Sequence, residues 1–250
     1  MLVTIPCYNE ALRLDSAQVE ALLTDPRLSV LFVDDGSRDG TRDVLAALCE
    51  RHPERASYLV LPQNRGKAEA VRTGLRTSLD RGADVVGYYD ADFATPPQEL
   101  SRLADELESA RADVVMGSRV ARLGADVARH PTRHYMGRLF ATTASLVLEM
   151  PIYDTQCGAK LFRSTAALRH ALEAPFSSRW AFDVELLGRL FAGGEGAPPL
   201  PPEKLLEVPL RAWHDVQGSK LGSTAMLRAG TDLLRLAARV KTRGRRGFFP

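Results

Sequence analysis

The sequence predicts an α/β fold in which a mostly parallel sheet is flanked by helices. Short apolar runs alternate with longer amphipathic ones through the first half of the chain, and this order is typical of strand–helix–strand units with right-handed crossovers. The apolar runs are continuous, as expected for strands that are covered on both faces. With 250 residues, of which 45% are hydrophobic and 26% charged, the chain can bury a large core and is not broadly disordered.

The first half contains predicted strands and helices in strict alternation. The strands are short and rich in Val, Leu and Tyr, and they cover residues 2–6, 29–33, 57–61, 84–89 and 113–116. The amphipathic segments between them predict helices over residues 15–23, 41–51, 68–79 and 97–110. The last helix follows Thr95-Pro96-Pro97, and proline is favoured in the first turn of a helix but not in its interior.

The second half is less regular. We predict a helix over residues 132–149, a strand over 159–163, a helix over 180–191 and a last strand over 204–211, with a Gly/Pro loop at 192–202.

The C-terminal end has a different character, because from Thr224 onward apolar residues occupy one helical face and arginines the other. Residues 1–222 are therefore predicted as one domain and residues 223–250 as a basic amphipathic helix and tail. Such a helix either lies in an anionic membrane surface or docks on its own domain with its basic face in water.

Composition argues against several classes of protein. Thirty-three Lys and Arg against 31 Asp and Glu leave a net charge of +2, and a general nucleic-acid-binding protein would be more basic, so no nucleic-acid partner is expected. Cys7, Cys49 and Cys157 form no CxxC pair, which favours a reducing compartment over a zinc or redox motif. No apolar run reaches the roughly 18 to 20 residues that span a bilayer. We expect a cytoplasmic protein, soluble or peripheral on a membrane.

Polar residues follow each of the first four predicted strands. In an open parallel sheet, ligands bind outside the carboxyl ends of the strands, so these segments form the candidate site. They are Pro6-Cys7-Tyr8-Asn9-Glu10, Asp34-Asp35-Gly36-Ser37, Asn64-Arg65-Gly66-Lys67 and Asp90-Ala91-Asp92.

The triplet Asp90-Ala91-Asp92 carries the most information. If it is extended, both carboxylates point to the same side, with α carbons about 6 to 7 Å apart, and they can converge on one hard cation. Mg²⁺ or Mn²⁺ held by one or two carboxylates keeps positions open for phosphate oxygens, and the small Ala91 lets a ligand approach the backbone. The alternative is an acidic turn whose side chains cap backbone amides.

Asp34, Asp35 and Lys67 have two interpretations each. The two aspartates are good turn formers ahead of Gly36, but in a crevice they would accept hydrogen bonds from a base or a ribose. Lys67 is either an ordinary residue at the start of a helix or a contact to a nucleotide. GxxxxGK[ST] does not occur, and no GxGxxG follows the first strand, which argues against kinases and dehydrogenases.

Taken together, these segments resemble the family-2 inverting nucleotide-sugar glycosyltransferases, which have the GT-A (Rossmann-like) fold. The matching segments of the first half are IPCYNE, FVDDGSRDGT, NRGKAEAVRTG and YYDADFATPP. In the second half, VVMGSR, DTQCGAKLF, RWAFDVELL and WHDVQGSKL are similar to the dolichyl-phosphate beta-glucosyltransferase branch, which is related to the dolichyl-phosphate mannose synthases. The resemblance implies a UDP-sugar donor and a polyprenyl or dolichyl phosphate acceptor. The basic tail would then replace the N-terminal membrane anchor of the eukaryotic glucosyltransferases.

The resemblance also implies roles for individual residues. It places the nucleotide base and ribose at Pro6, Tyr8, Glu10, Val33 and Asp35. It places the metal, which bridges the donor diphosphate, at Asp90 and Asp92.

Three cations, Arg119, Arg133 and Lys220, fall where the family meets donor diphosphate or acceptor phosphate. A fixed positive charge there stabilises negative charge that develops on the leaving group. The alternative interpretation of Arg119 and Lys220 is that each is an ordinary charged residue on the surface.

The acceptor decides whether the reaction needs a general base. In a single displacement, an acceptor oxygen attacks the anomeric carbon of an α-linked donor and gives a β product. A phosphate monoester is mostly a dianion at pH 7 and needs only positioning, whereas a sugar hydroxyl needs a base within hydrogen-bond reach. Asp183 is the candidate base and Glu185 the second, and on a helix the two do not share a face. The alternative for Asp183 is a structural carboxylate paired with Arg179.

Three functions remain open at this stage. The leading one is a polyprenyl-phosphate glucosyltransferase that uses UDP-glucose. The second is an inverting transferase for a soluble hydroxyl acceptor, such as a saccharide or a natural product. The third is a non-catalytic nucleotide-sugar-binding protein, which is disfavoured because both Asp90 and Asp92 are present.

Overall fold

The computed structural model describes residues 1–120, 123–128 and 131–216. The strands in these segments are β1 (Leu2–Cys7), β2 (Ser29–Asp34), β3 (Ala56–Val60), β4 (Val85–Tyr89), β5 (Val114–Ser118), β6 (Asp126–Ala128), β7 (Ala159–Arg163), β8 (Leu205–Pro209) and β9 (Ala212–His214). The α-helices are α1 (Ser16–Leu22), α2 (Thr41–Arg51), α3 (Lys67–Asp80), α4 (Pro97–Ser109), α5 (Pro131–Leu148), α6 (Ala166–Ala171) and α7 (Phe182–Ala192).

The main sheet has the strand order β3-β2-β1-β4-β7-β5-β8. β7 runs antiparallel to β4 and β5, and the other pairs of this sheet are parallel. Since β1 lies between β2 and β4, the strand order reverses beside β1, which is where open α/β sheets bind their ligands. β6 and β9 form a separate two-stranded sheet.

The predicted α/β fold is confirmed, and each strand and helix predicted within residues 1–211 has an observed counterpart. The predicted strand over 204–211 is wrong in one respect, because β8 ends at Pro209 and the chain then continues into β9 of the second sheet. β5 itself ends at Ser118, the partner of Pro209, and after the amide of Leu210 has donated to the Ser118 carbonyl at 2.9 Å the chain has no further β5 residue to pair with. The prediction missed β6, α6 and β9, which have three to six residues and are too short to show a periodicity.

Helices cover both faces of the sheet. Side chains of α1, α2 and α4 pack on one face against Val3, Ile5 and Tyr89, and side chains of α3, α5, α6 and α7 pack on the other against Tyr88. This two-sided burial explains the continuous apolar runs of the strands.

Helix α3 lies unusually close to β1. A Cβ on Gly74 would lie only 2.2 Å from Cγ2 of Thr4, so this glycine permits the contact. The close packing fixes the first residue of α3, Lys67, near the carboxyl edge of the sheet.

No helix in the described residues is both long and apolar enough to cross a membrane. The predicted amphipathic tail over residues 223–250 lies outside the described residues.

Candidate active site

The carboxyl ends of β1, β2 and β4 meet at the edge of the sheet where the polar segments were predicted. Pro6 is paired with Val33, and Cys7 with Asp34, in the parallel register of β1 and β2. Val33 is fully buried among Leu31 and Ala70, so a nucleotide would reach only its backbone. Pro6 is partly exposed at the edge.

The loop after β1 is tied to the loop after β2. Asn9 adopts a left-handed backbone conformation with φ of 51°, which asparagine tolerates better than most residues. Its amide donates to Oγ of Ser37 at 2.9 Å, and its Oδ1 accepts from the amide of Arg38 at 2.9 Å. The amide of Glu10 donates to Oγ1 of Thr41 at 2.8 Å. These hydrogen bonds hold the loop that carries Tyr8 and Glu10 at the carboxyl edge of the sheet.

The two aspartates at the end of β2 differ in role, because Asp34 forms the turn and Asp35 binds the segment before α3. Asp34 is fully buried, and its Oδ1 accepts from the amide of Ser37 at 2.9 Å. The oxygens of Asp35 accept from the amides of Arg65 and Gly66 at 2.7 and 2.8 Å, and burial raises the pKa of this carboxyl. A carboxylate has about four acceptor positions, so Asp35 keeps capacity for a ligand while it holds the start of α3.

The segment Asp90-Ala91-Asp92 is a turn, which corrects the expectation of an extended triplet. The amide of Phe93 donates to the carbonyl of Asp90 at 3.2 Å, and Phe93 has a φ of 51°. Oδ1 of Asp92 accepts from the amide of Ala94 at 3.1 Å, as the capping alternative requires. Burial and, after it, the charge of Asp90 raise the pKa of Asp92. The two carboxylates therefore lie close enough to interact.

Lys67 contacts Asp90 directly. Its Nζ lies 2.6 Å from Oδ1 of Asp90, and apart from this ion pair no described residue hydrogen-bonds to that buried oxygen. Burial alone would lower the pKa of Lys67, but the carboxylates of Asp90, Asp183 and Asp92 raise it. The ammonium is therefore the charge partner of a cluster of three carboxylates.

Gly158 positions the Asp90 carboxylate from the other side. A Cβ on Gly158 would lie 2.1 Å from Oδ2 and 2.2 Å from Cγ of Asp90, and the amide of Asp90 donates to the Gly158 carbonyl at 3.0 Å. The carboxylate thus packs flat against the glycine backbone. The sequence interpretation did not single out Gly158 as a site residue, although it lies within the quoted segment DTQCGAKLF.

Asp183 lies at the start of α7 in a buried polar cluster. Its Oδ1 accepts from Nζ of Lys160 at 2.8 Å and from the hydroxyl of Tyr88. Lys160 also donates to the hydroxyl of Tyr88 and to the carbonyl of Cys157, both at 2.6 Å. Burial and the charge of Asp183 raise the pKa of Tyr88 well above its usual value, so the phenol stays a donor. The sequence contained one signal for Lys160, because it is a lysine inside the strand predicted over residues 159–163.

Asp183 is a buried carboxylate in the first turn of α7, as the structural alternative predicts, but its ion partner is Lys160 and not the predicted Arg179. The Arg179 stem packs beside Gly66, and its charge acts on Asp35. Arg179 and Arg65 border a cavity of about 300 Å³. Glu185 points elsewhere, as its position on the helix predicts, since it accepts from Ser177 and from Arg189.

The predicted phosphate-binding cations are placed differently from one another. Arg119 donates to both oxygens of Asp154 at 2.6 and 2.8 Å, and its guanidinium lies 5.6 Å from the Trp213 ring centre. Its charge is therefore already balanced within the chain. Arg133 lies in α5 but its side chain is outside the description, and Lys220 lies outside the described residues.

The chemistry of this edge fits a divalent ion. No group of three or more His, Cys, Asp or Glu side chains converges within residues 1–120, 123–128 and 131–216, and the candidate donors at this edge are the two carboxylates of Asp90 and Asp92. Mg²⁺ and Mn²⁺ sites that act on phosphates use one or two carboxylates and complete their shell with water and phosphate oxygens.

Comparisons with known proteins agree with this geometry. The family described as Glycosyl transferase family 2 matches residues 2–169. A dolichyl-phosphate beta-glucosyltransferase of Trichomonas vaginalis is 31% identical over 247 residues, which cover 93% of this chain and 69% of the relative. A polyprenol monophosphomannose synthase of Mycolicibacterium smegmatis is 32% identical over 201 residues, which cover 80% of this chain and 75% of the relative.

A solved structure shares the fold. The glucosyl-3-phosphoglycerate synthase of Mycobacterium tuberculosis, in complex with Mn²⁺ and uridine-diphosphate-glucose, aligns with a TM-score of 0.62 at 20% identity. The alignment covers 94% of this chain and 78% of that chain. Together with the sheet order, this similarity confirms the predicted GT-A fold.

Proposed function

Because this chain belongs to glycosyl transferase family 2, we propose that it is an inverting glucosyltransferase that moves glucose from UDP-glucose to a polyprenyl phosphate. The relatives named for dolichyl phosphate and polyprenol support the acceptor class. Residues 1–222 would form the catalytic domain, and the tail over 223–250 would bind the membrane surface where a polyprenyl phosphate resides.

The donor would lie across the carboxyl ends of β1, β2 and β4. Tyr8, Glu10 and the loop of Asp34 and Asp35 face this cleft from β1 and β2, and their mutual hydrogen bonds pre-organise the loops. A pre-organised site spends less binding energy on ordering itself.

A divalent ion would be held by Asp90 and Asp92. When bound, it would neutralise the diphosphate and so make UDP a better leaving group. The role of the chain is to hold both carboxylates in place, Asp90 against Gly158 and Asp92 by its bond to the amide of Ala94. Lys67 adds a positive charge at the same edge.

The environment of Asp183 is the observation that carries the choice of acceptor. A general base must present an oxygen to the acceptor hydroxyl, but Asp183 is buried and is anchored through its Oδ1 by Lys160 and Tyr88, as a structural carboxylate is. This arrangement suits an acceptor that is already ionised, as a phosphate monoester is for most of the time at pH 7.

The test is a matrix of donors and acceptors scored by UDP release, with Mg²⁺, Mn²⁺ or a chelator. UDP-glucose with a short-chain polyprenyl phosphate should give the highest rate, and a panel of saccharides and natural products little above background. Asp183→Asn should keep a substantial part of the rate if the acceptor is a phosphate. A loss of about 100-fold or more, the usual upper range for a general base, would favour a hydroxyl acceptor.

Truncation at Ser223 should abolish binding to anionic liposomes, and unchanged binding would refute the tail assignment.

A further inference from the structure

The structure places a lysine on the carboxylate that the metal would need. Nζ of Lys67 lies 2.6 Å from Oδ1 of Asp90, and both side chains are about one-third exposed. An ammonium and a divalent ion on the same oxygen repel each other strongly, because both are cations, so a metal on Asp90 disfavours the ammonium in this position.

We propose that Lys67 is the built-in counter-ion of the metal site: a divalent ion that binds Asp90 displaces the Lys67 ammonium, which moves to Asp183. This inference rests on the proposed metal site and adds to it an exchange of partners between three residues of the chain.

Lys67 has the freedom and the position for this exchange. Its α carbon is fixed at the first residue of α3, because α3 packs tightly on β1 through Gly74. Its side chain is a flexible four-carbon stem that ends in a compact charge. The ammonium lies 6.0 Å from the ring centre of Phe182, and Phe182 is the residue directly before Asp183 at the start of α7.

Asp183 is prepared to receive the displaced charge. Its carboxylate acts on the Lys67 ammonium more strongly than that of Asp92 does. Lys160 and Tyr88 both donate to Oδ1, and no described residue donates to Oδ2, which leaves that oxygen for Lys67. The buried Lys160 also holds the Asp183 side chain in this position through its ion pair with Oδ1 at 2.8 Å.

The experiment is a titration of Mn²⁺ into the full-length chain without nucleotide, with free Mn²⁺ measured by electron paramagnetic resonance. Lys67→Met should bind Mn²⁺ roughly 3- to 5-fold more tightly than the wild type, as expected for the loss of a partly exposed competing ion pair. Arg65→Met is the matched control, because it removes one positive charge two residues away whose side-chain ion partner is Glu69 at 3.8 Å. It should change the affinity by less than about 2-fold, as a screened surface charge does.

A double-mutant cycle tests the destination of the ammonium. Asp183→Asn should weaken Mn²⁺ binding more in the wild type than in Lys67→Met, because only the wild type must relocate the ammonium. Equal weakening in both backgrounds would refute the role of Asp183, and equal affinities of Lys67→Met and Arg65→Met would refute the counter-ion itself.

The outcomes also separate this inference from the proposed function. If the wild type binds Mn²⁺ and transfers glucose while Lys67→Met shows no gain, only the counter-ion is refuted. If neither the wild type nor Lys67→Met binds Mn²⁺, the proposed metal site is refuted together with the counter-ion. Circular dichroism spectra of all variants establish that each is folded.

Discussion

Replacement of Gly158 by alanine should disable the site while leaving the fold intact. The added Cβ would lie 2.1 Å from Oδ2 of Asp90. Non-bonded carbon and oxygen atoms need about 3 Å or more, so the carboxylate must retreat by about 1 Å. The Asp90 carboxylate is the end of a short side chain on a turn, so it can rotate away from the new Cβ. The packing of the core then stays as it is.

The displacement predicts a large loss of rate and a small loss of stability. A misplacement of about 1 Å in a reacting constellation costs on the order of 100-fold. The rotated carboxylate would leave both Lys67 and the proposed metal, so UDP release from UDP-glucose should fall by about that factor. The melting temperature should fall by no more than about 2 to 4 °C, the shift that roughly 1 kcal/mol produces in a domain of this size.

The controls separate this cause from a general effect of alanine. Gly40→Ala adds the same methyl in a loop where its Cβ has only Ala11 nearby, at 3.8 Å, and should keep near wild-type activity. Gly158→Ala combined with Asp90→Ala should be no slower than Asp90→Ala alone, because the clash then has no target. Retention of more than one third of the activity in Gly158→Ala, or a further 100-fold loss in the double variant, would refute the reasoning.

Three further predictions concern the metal, the buried cluster and a surface ion pair. Chelation with EDTA should abolish UDP release and added Mn²⁺ should restore it, and full activity in EDTA would contradict the metal role. Lys160→Met should lower the free energy of unfolding by about 3 kcal/mol or more in urea titrations, because Asp183 is left as an unpaired buried charge; addition of Asp183→Leu should recover part of this loss. Hydrogen bonds from Arg27 lower the pKa of Asp25 from 3.8 to about 2, so the pair stabilises the folded state above about pH 4, and the contribution is lost as the pH falls through about 2. Asp25→Asn should cost about 1 kcal/mol at pH 7, since solvent screens a surface pair, and at most half of that at pH 2, whereas a constant difference would contradict the assignment.

Much of the site could be predicted because it follows directly from chain order. Parallel strands bring their carboxyl ends to one edge of the sheet, so Tyr8, Asp35, Lys67 and Asp90 could be placed together once the strands were recognised. The conformation of the segments was harder to predict. The turn at Asp90-Ala91-Asp92 depends on the left-handed Phe93, which nothing in the composition of the triplet indicates.

The remaining site residues depend on β7. This strand inserts antiparallel between β4 and β5, and it is preceded by Gly158 and carries Lys160. The pairing of Tyr88 with Lys160 in that register places the Lys160 ammonium beside Asp183. No local pattern reveals which strands a given strand will join, because pairing is chosen by burial across distant segments.

The sequence by itself determined the alternation of strands and helices, the polar edge and the acidic pair, since hydrophobic periodicity and strand-end chemistry are local properties. Only the tertiary structure decided which partners the charged residues of the site have. Asp183 accepts hydrogen bonds from Lys160 and Tyr88. Arg119 forms an ion pair with Asp154, and Lys67 forms one with Asp90. The reason is physical: the state of a charge depends on its neighbours and its burial, and in this chain the partners of Asp183 and Arg119 are 23 to 95 residues away.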